Sequence, residues 1–247
     1  MCGIVGVVGN SNAVDILIQG LEKLEYRGYD SAGIYVTDAP DKGCLVKSVG
    51  RIADLRAKIS SDVKGSTGIG HTRWATHGQA TEDNAHPHTS ETGRFVLVHN
   101  GVIENYLQIK EEYLQGHKFK GQTDTEIAVH LIGKFVDEDG LSVLEALKKS
   151  LHIIQGSYAF ALVDSQAPDT IYVAKNKSPL LIGVGEGYNM VCSDAMAMIR
   201  ETSQFMEIHD KELVVLTKDA ITVTDYEGNA IERGTYTAEL DLSDIGK

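Results

Sequence analysis

Along the chain, the spacing of apolar and polar residues changes character several times. The run Gly3-Ile4-Val5-Gly6-Val7-Val8 reads as a core strand. Val14, Leu17, Ile18, Leu21 and Leu24 then recur at i, i+3, i+4 and i+7, with Asp15, Gln19, Glu22 and Lys23 between them, and predict an amphipathic helix. A loop dense in glycine and polar groups follows at residues 25–33. Residues 34–37 and 44–49 are predicted strands about the turn at residues 38–43. Ile52, Leu55 and Ile59 mark a short helix. Residues 67–74 begin as a strand and run into an irregular segment, 75–93, with little apolar periodicity. Phe95-Val96-Leu97-Val98-His99 reads as a buried strand ending at Asn100-Gly101, and residues 103–114 as a helix.

Thr123-Asp124-Thr125-Glu126 has the capping-box pattern that opens helices. Ala128, Leu131, Ile132 and Phe135 form the apolar face of the helix it starts, and Leu144, Leu147 and Leu151 form one more stripe. From Gly156 onward the pattern turns to strands, at 158–163, 171–174, 180–184, 189–192, 212–216 and 221–224, with one short helix at 195–200. Strands flank a central helical block, which predicts layered sheets faced by helices and not a doubly wound parallel sheet. Residues 235–247 are polar and acidic, and read as a linker.

Composition narrows the function classes. A chain of 247 residues can fold as one large domain or two. A formal charge of −12 argues against a nucleic-acid-binding surface. No apolar run approaches the roughly 20 residues that span a bilayer, and no signal-peptide pattern opens the chain. Cys2, Cys44 and Cys192 are odd in number and far apart, so they suggest a reducing, cytoplasmic setting and no disulfide framework.

The most suggestive chemistry lies at the start. If Met1 is removed, Cys2 carries a thiol beside its own α-amine. Such an amine has a reference pKa of about 7.7–8 and suits the role of general base near neutral pH. The plainer reading is a small residue buried at the start of a core strand.

Four further stretches bear on that choice: Arg27-Gly28-Tyr29-Asp30-Ser31-Ala32-Gly33, Gly70-His71-Thr72-Arg73-Trp74-Ala75-Thr76-His77-Gly78, His99-Asn100-Gly101 and Thr123-Asp124-Thr125-Glu126. With Cys2-Gly3-Ile4-Val5-Gly6, and in this order, they closely resemble the glutamine amidotransferases of the N-terminal-nucleophile type, over nearly the whole chain to about residue 240. The stretches at residues 27–33 and 71–78 are most similar to the hexosamine-forming branch of that family, and differ from its purine-pathway and asparagine-forming members.

The resemblance implies an α+β fold: a four-layer αββα sandwich of two stacked antiparallel sheets, over residues 1–234. It implies that Cys2 attacks the side-chain amide of L-glutamine to give a γ-glutamyl thioester and ammonia, with Asn100 and Gly101 stabilising the oxyanion. Arg73 would pair with the substrate α-carboxylate, a geometry that suits the guanidinium fork, and Asp124 would hold the α-ammonium. Thr76 and His77 would line the carboxylate end, Trp74 would gate the exit of ammonia, Arg27 would position the N-terminal residue, and Tyr29 would help cover the substrate. It implies no cofactor and no metal. Residues 235–247 would begin a linker to a C-terminal sugar isomerase region using fructose 6-phosphate, in an intact enzyme that is a homo-oligomer.

Single residues have other readings. Asn-Gly is the commonest type I′ hairpin turn, and an Asp in the first turn of a helix is already favoured by the macrodipole. Trp74, the one tryptophan, could be a core or surface aromatic. His71, His77, His86 and His88 invite a metal reading, but His86-Pro87-His88 lacks a partner pair at ligand spacing. Gly183-Val184-Gly185-Glu186-Gly187 follows a strand yet meets neither phosphate-loop pattern, and reads as a hairpin. Two rival functions are an amidase acting on other amides and a catalytically silent binding module. The Arg73–Asp124 pair argues against the first, and intact Cys2 and Asn100-Gly101 against the second.

Overall fold

The computed structural model describes residues 2–75 and 78–238. Its first part runs β1 (Gly3–Val8), α1 (Ala13–Leu24), β2 (Ser31–Thr37), β3 (Cys44–Val49), α2 (Ile52–Lys58) and β4 (Thr67–Arg73). The middle holds β5 (His88–Thr89), β6 (Phe95–Ile103), α3 (Tyr106–Tyr113), α4 (Asp124–Asp137) and α5 (Val143–Ile153). The remainder is strands: β7 (Gly156–Asp164), β8 (Ile171–Asn176), β9 (Leu181–Val184), β10 (Asn189–Cys192), β11 (Gln204–Glu207), β12 (Glu212–Leu216), β13 (Ile221–Asp225), β14 (Ala230–Ile231) and β15 (Tyr236–Thr237).

Two sheets result, in the orders β15-β11-β9-β10-β1-β4-β2-β3 and β14-β13-β12-β8-β7-β6-β5. Every neighbouring pair within them is antiparallel. Three apolar clusters separate four layers. Val5, Val7 and Ile34 pack against Leu17 and Leu21 of α1 and Ile52 of α2. Ile4, Val8 and Ile69 meet Val96, Val98 and Val163 between the sheets. Phe95, Leu97, Phe160 and Leu162 take the far side, against Ile127, Leu131, Phe135 and Leu147 of α4 and α5. The period-two alternation of a strand thus sends Ile4 and Val8 toward one neighbour and Val5 and Val7 toward the other. Each such fully buried side chain contributes about 1.5–3 kcal/mol, so β1 is anchored on both faces and holds the residue before it, Cys2. This is the αββα sandwich expected from the sequence. Among the described residues, no helix is long and apolar enough to cross a membrane.

The local differences from the sequence reading have identifiable causes. β6 does not stop at Asn100-Gly101: it continues to Ile103, with Asn100 opposite Ala159 and Gly101 opposite Tyr158, so these residues form no hairpin turn. Because Ile103 is still strand, the following helix starts only at Tyr106. β2 begins at Ser31, inside the glycine-rich loop, because Ser31 and Ala32 pair with Arg73 and Thr72 of β4. The capping box is half made. The Thr123 hydroxyl accepts from the Glu126 N–H at 3.4 Å, while the Glu126 carboxylate reaches back to the N–H groups of Lys120 and Gly121 at 2.9 Å. The helix expected at 195–200 is a 3-10 turn, Ala195–Ala197. Strands β11, β14 and β15 lack a legible alternation, and β15 pairs with β11 inside the stretch read as linker.

Candidate active site

Cys2 lies between the end of β4 and the middle of β6. Its sulfur accepts the Trp74 backbone N–H at 3.3 Å, and its thiol points to the Trp74 carbonyl at 3.6 Å. Burial pushes the thiol pKa up; the Trp74 N–H and the charge of Arg73 oppose this without reversing it. The resting group is therefore a thiol, which needs a base before it can attack.

Asn100 is brought to Cys2 by β6, and its amide is oriented from behind. Burial lowers the pKa of His71 to about 3, so its imidazole is neutral. Its Nε2 faces two acceptors, the His99 carbonyl at 3.1 Å and Asn100 Oδ1 at 2.9 Å, so the single ring proton belongs on Nε2. With Oδ1 so engaged, Asn100 presents Nδ2 as donor, and it reaches the Cys2 carbonyl at 3.2 Å. His71 Nδ1 has no hydrogen-bond partner among the described residues. Its ring stacks on His86 at 3.9 Å, and His86 meets His88 edge-on at 4.8 Å. These three histidines, weighed as metal ligands from the sequence, pack ring against ring. Next to Asn100, Gly101 has φ +118°, and a Cβ there would lie 2.2 Å from the Ser157 carbonyl oxygen. Only glycine fits at this position beside Asn100.

Arg73 ends β4 and is buried. Its guanidinium donates to the carbonyls of Gln79 at 2.9 Å and Gly78 at 3.3 Å, and lies 3.9 Å from Asp30. Asp124 opens α4, and one of its carboxylate oxygens accepts the Ile103 N–H at 2.8 Å. Arg27 pairs with Asp194. Trp74 is 51% exposed and its indole covers Gly28, where a Cβ would come within 2.9 Å of the ring. Gly28 also has φ +118°, so the sequence Arg27-Gly28-Tyr29 tolerates no side chain at its centre.

Cys2, Trp74 and Gly101 form the wall between two recesses. One, of about 40 Å³, is polar and is lined also by Arg73, His99, Thr123, Asp124 and Thr125. The other, of about 310 Å³, is bounded by Arg27, Asn100, Val102, Pro179 and Ser193. Of the residues expected at the site, Cys2, Arg27, Arg73, Trp74, Asn100, Gly101 and Asp124 converge here. Tyr29 lines neither recess; the Arg51 guanidinium sits over its ring at 4.5 Å. Met1, Thr76 and His77 lie outside the described residues.

The sequence reading passed over several supports. His71 stood in a quoted motif but was considered only as a metal ligand. Asp30, also in a motif, accepts the Ala75 N–H as well as facing Arg73. Asp194 lies far along the chain from Arg27 and carried no signal. Thr123 and Thr125 bond His88 and His99 at 2.9 and 2.8 Å, tying the first turn of α4 to the histidine cluster.

The profile of the glutamine amidotransferase domain matches residues 71–201. The chain is 83% identical over all its residues to glutamine–fructose-6-phosphate aminotransferase [isomerizing] of Streptococcus pyogenes, and 79% identical to the protein of that name from Streptococcus pneumoniae. It spans 41% of the length of each. Among solved structures, it resembles glutamine phosphoribosylpyrophosphate amidotransferase from B. subtilis with a TM-score of 0.79 at 29% identity, covering 93% of this chain and 50% of that one.

Proposed function

The chain belongs to the glutamine amidotransferase domain family, and from that premise we propose that it hydrolyses L-glutamine to L-glutamate and ammonia with Cys2 as nucleophile. The observation that carries the reading is that Cys2 borders a polar recess carrying the Arg73 and Asp124 charges while its carbonyl accepts from an Asn100 amide locked by His71.

In this reading Met1 is removed and the freed α-amine of Cys2 takes the thiol proton. The sulfur bonds to the amide carbon, and the carbonyl oxygen becomes an oxyanion that receives the Asn100 Nδ2–H and the Gly101 N–H. The C–N bond then breaks, and the nitrogen leaves as ammonia with the proton held by the α-amine. Water attacks the γ-glutamyl thioester through a second oxyanion and returns the thiol. Arg73 receives the α-carboxylate in exchange for the Gly78 and Gln79 carbonyls, and Asp124 receives the α-ammonium. The polar recess is well below the roughly 300 Å³ of ordinary ligand pockets, so binding has to widen it. Thr76, His77 and Tyr29 complete the cover over the substrate. Arg27, held by Asp194, positions the N-terminal residue, and the larger recess beyond Trp74 carries ammonia away.

The relatives' names and their greater length support a wider setting. The amidotransferase domain runs through β15, a little past the residue 234 expected from the sequence, and the residues after it begin the linker to a C-terminal sugar isomerase region. There ammonia converts fructose 6-phosphate to glucosamine 6-phosphate, in a cytoplasmic homo-oligomer.

Treatment with an electrophilic glutamine analogue tests the central step. One adduct per chain, located by mass spectrometry on a Cys2 that lacks Met1 and prevented by excess glutamine, is the expected result. Stoichiometric labelling at Cys44 or Cys192 instead would end the nucleophile assignment.

A further inference from the structure

On the far side of the first turn of α4 from Cys2, three segments bring Glu91, His117 and His130 together. Glu91 comes from the turn between β5 and β6, His117 from the loop after α3, and His130 from within α4. The two Nδ1 atoms lie 2.9 Å apart, and Glu91 Oε2 lies 3.5 Å from His130 Nδ1 and 3.9 Å from His117 Nδ1. The outer nitrogens both face carboxylates. His117 Nε2 is 2.9 Å from Glu138 Oε1, and His130 Nε2 is 3.7 Å from Glu126 Oε2.

Carboxylate oxygens only accept, so each ring places its proton on Nε2. Both Nδ1 lone pairs then point at each other and at a carboxylate oxygen. If one ring donated from Nδ1 instead, its Nε2 lone pair would confront a carboxylate. No arrangement of two neutral imidazoles satisfies all five contacts.

A cation between the three inner atoms does. A zinc ion about 2.0–2.1 Å from nitrogen and oxygen ligands holds them roughly 3.3 Å apart in a tetrahedron, and the three observed separations bracket that spacing. The outer carboxylates supply the support that metal-bound histidines characteristically have. His130 is buried and the His117 side chain is nearly covered, whereas Glu91 is exposed and leaves a way in from solvent. The Lys118 N–H, on Glu91 Oε2 at 2.9 Å, occupies one of that oxygen's lone pairs and leaves the other.

We propose that Glu91, His117 and His130 form a binding site for one divalent transition ion of the zinc class, separate from the amide-hydrolysing residues and independent of their assignment. Two imidazoles and one carboxylate favour zinc, cobalt or nickel over magnesium or calcium. The ion would join the loop after α3 to α4, and so stiffen the segment that carries Asp124.

Cobalt(II) titration of the chelator-treated chain at pH 7.5 tests the site, in a Cys2→Ser background that removes a competing thiol. One equivalent should give a visible ligand-field band of tetrahedral or five-coordinate type without thiolate charge transfer. Zinc should displace it, and saturating zinc should raise Tm by about 5 °C. Glu91→Gln, at an exposed position that leaves the fold intact, should weaken binding by about 10–100-fold, and His117→Asn should abolish the band. Absence of a one-to-one band, or a band unchanged in both variants, overturns the proposal and leaves the inner nitrogens sharing a proton.

Discussion

The first turn of α4 separates two groups of histidines that have nothing in common but residue type. His71, His86, His88 and His99 lie behind Cys2, and burial lowers the pKa of all four. Their partners are neutral: each other's rings, backbone carbonyls, and the hydroxyls of Thr123 and Thr125. His117 and His130 sit among Glu91, Glu126 and Glu138. One environment removes charge and the other gathers it. A neutral imidazole with one fixed proton can orient an amide, as His71 does for Asn100, whereas an imidazole backed by a carboxylate is a ligand for a cation. What a histidine does here is set by what faces its second nitrogen.

The largest effect expected from this contrast is on acid stability. A buried histidine held neutral takes up a proton on unfolding once the pH falls below its ordinary value of 6.5, whereas folded His71 stays neutral down to about pH 3. Between those values the unfolded state binds more protons, so stability rises with pH and is lost as pH falls. Each such histidine contributes a slope of about 1.4 kcal/mol per pH unit. With burial lowering all four, stability should already fall between pH 6.5 and 5, before the carboxylates titrate. Urea denaturation at a series of pH values checks this. A free energy of unfolding flat from pH 6.5 to 5 would mean that the cluster is solvated and charged.

Next in size is the loss of the oriented amide. Asn100→Ala removes a donor to the oxyanion and should lower kcat for glutamine by about 10²–10³-fold with little change in KM. His71→Phe preserves a flat ring against His86 but removes the proton that locks Asn100 Oδ1, and should lower kcat about tenfold. Because His71 acts through Asn100, His71→Phe in the Asn100→Ala background should cost almost nothing further. Additive losses in that double-mutant cycle would show that His71 acts on something else.

The contrast between the two groups also marks what was legible in the sequence. Period-two and 3.6-residue patterns announced the long elements and sheets faced by helices, while the four-layer αββα order came from the family resemblance. They could not announce β5, β14 or β15, which are two residues each and are made by their neighbours. Cys2, Arg73, Asn100-Gly101 and Asp124 stood in recognisable motifs, and the fold brings them to two adjoining recesses that share Cys2 and Gly101. The partners that set their chemistry were another matter. His86 lies in an aperiodic loop and reaches His71 only because the two sheets stack there. Asp194 finds Arg27 from β10's far end. His117 and His130 belong to no motif at all, because a ligand set assembled from a turn, a loop and a helix has no local spacing to read. Partners across layers are a property of the packing, and a one-dimensional pattern holds only the faces that pack.

Glu126 gives the finest test, since it faces both groups: His130 at 3.7 Å, and His88 through its charge. Burial would raise its pKa, but His130 and the N–H groups of Lys120 and Gly121 outweigh that and hold the carboxyl at about 2. A carboxylate with a depressed folded pKa contributes stability above its unfolded value of 4.5 and loses it as pH falls toward 2. After discounting for solvent screening, that contribution is about 1 kcal/mol. Glu126→Gln should therefore lower Tm by about 2–4 °C at pH 7. Between pH 6.5 and 5 the variant and the parent should lose stability in parallel, because only the histidines titrate there. Their curves should converge only below about pH 4.5. Convergence already at pH 6 would place the Glu126 charge in the service of a protonated His130, and would join into one titrating unit the two groups that the structure keeps apart.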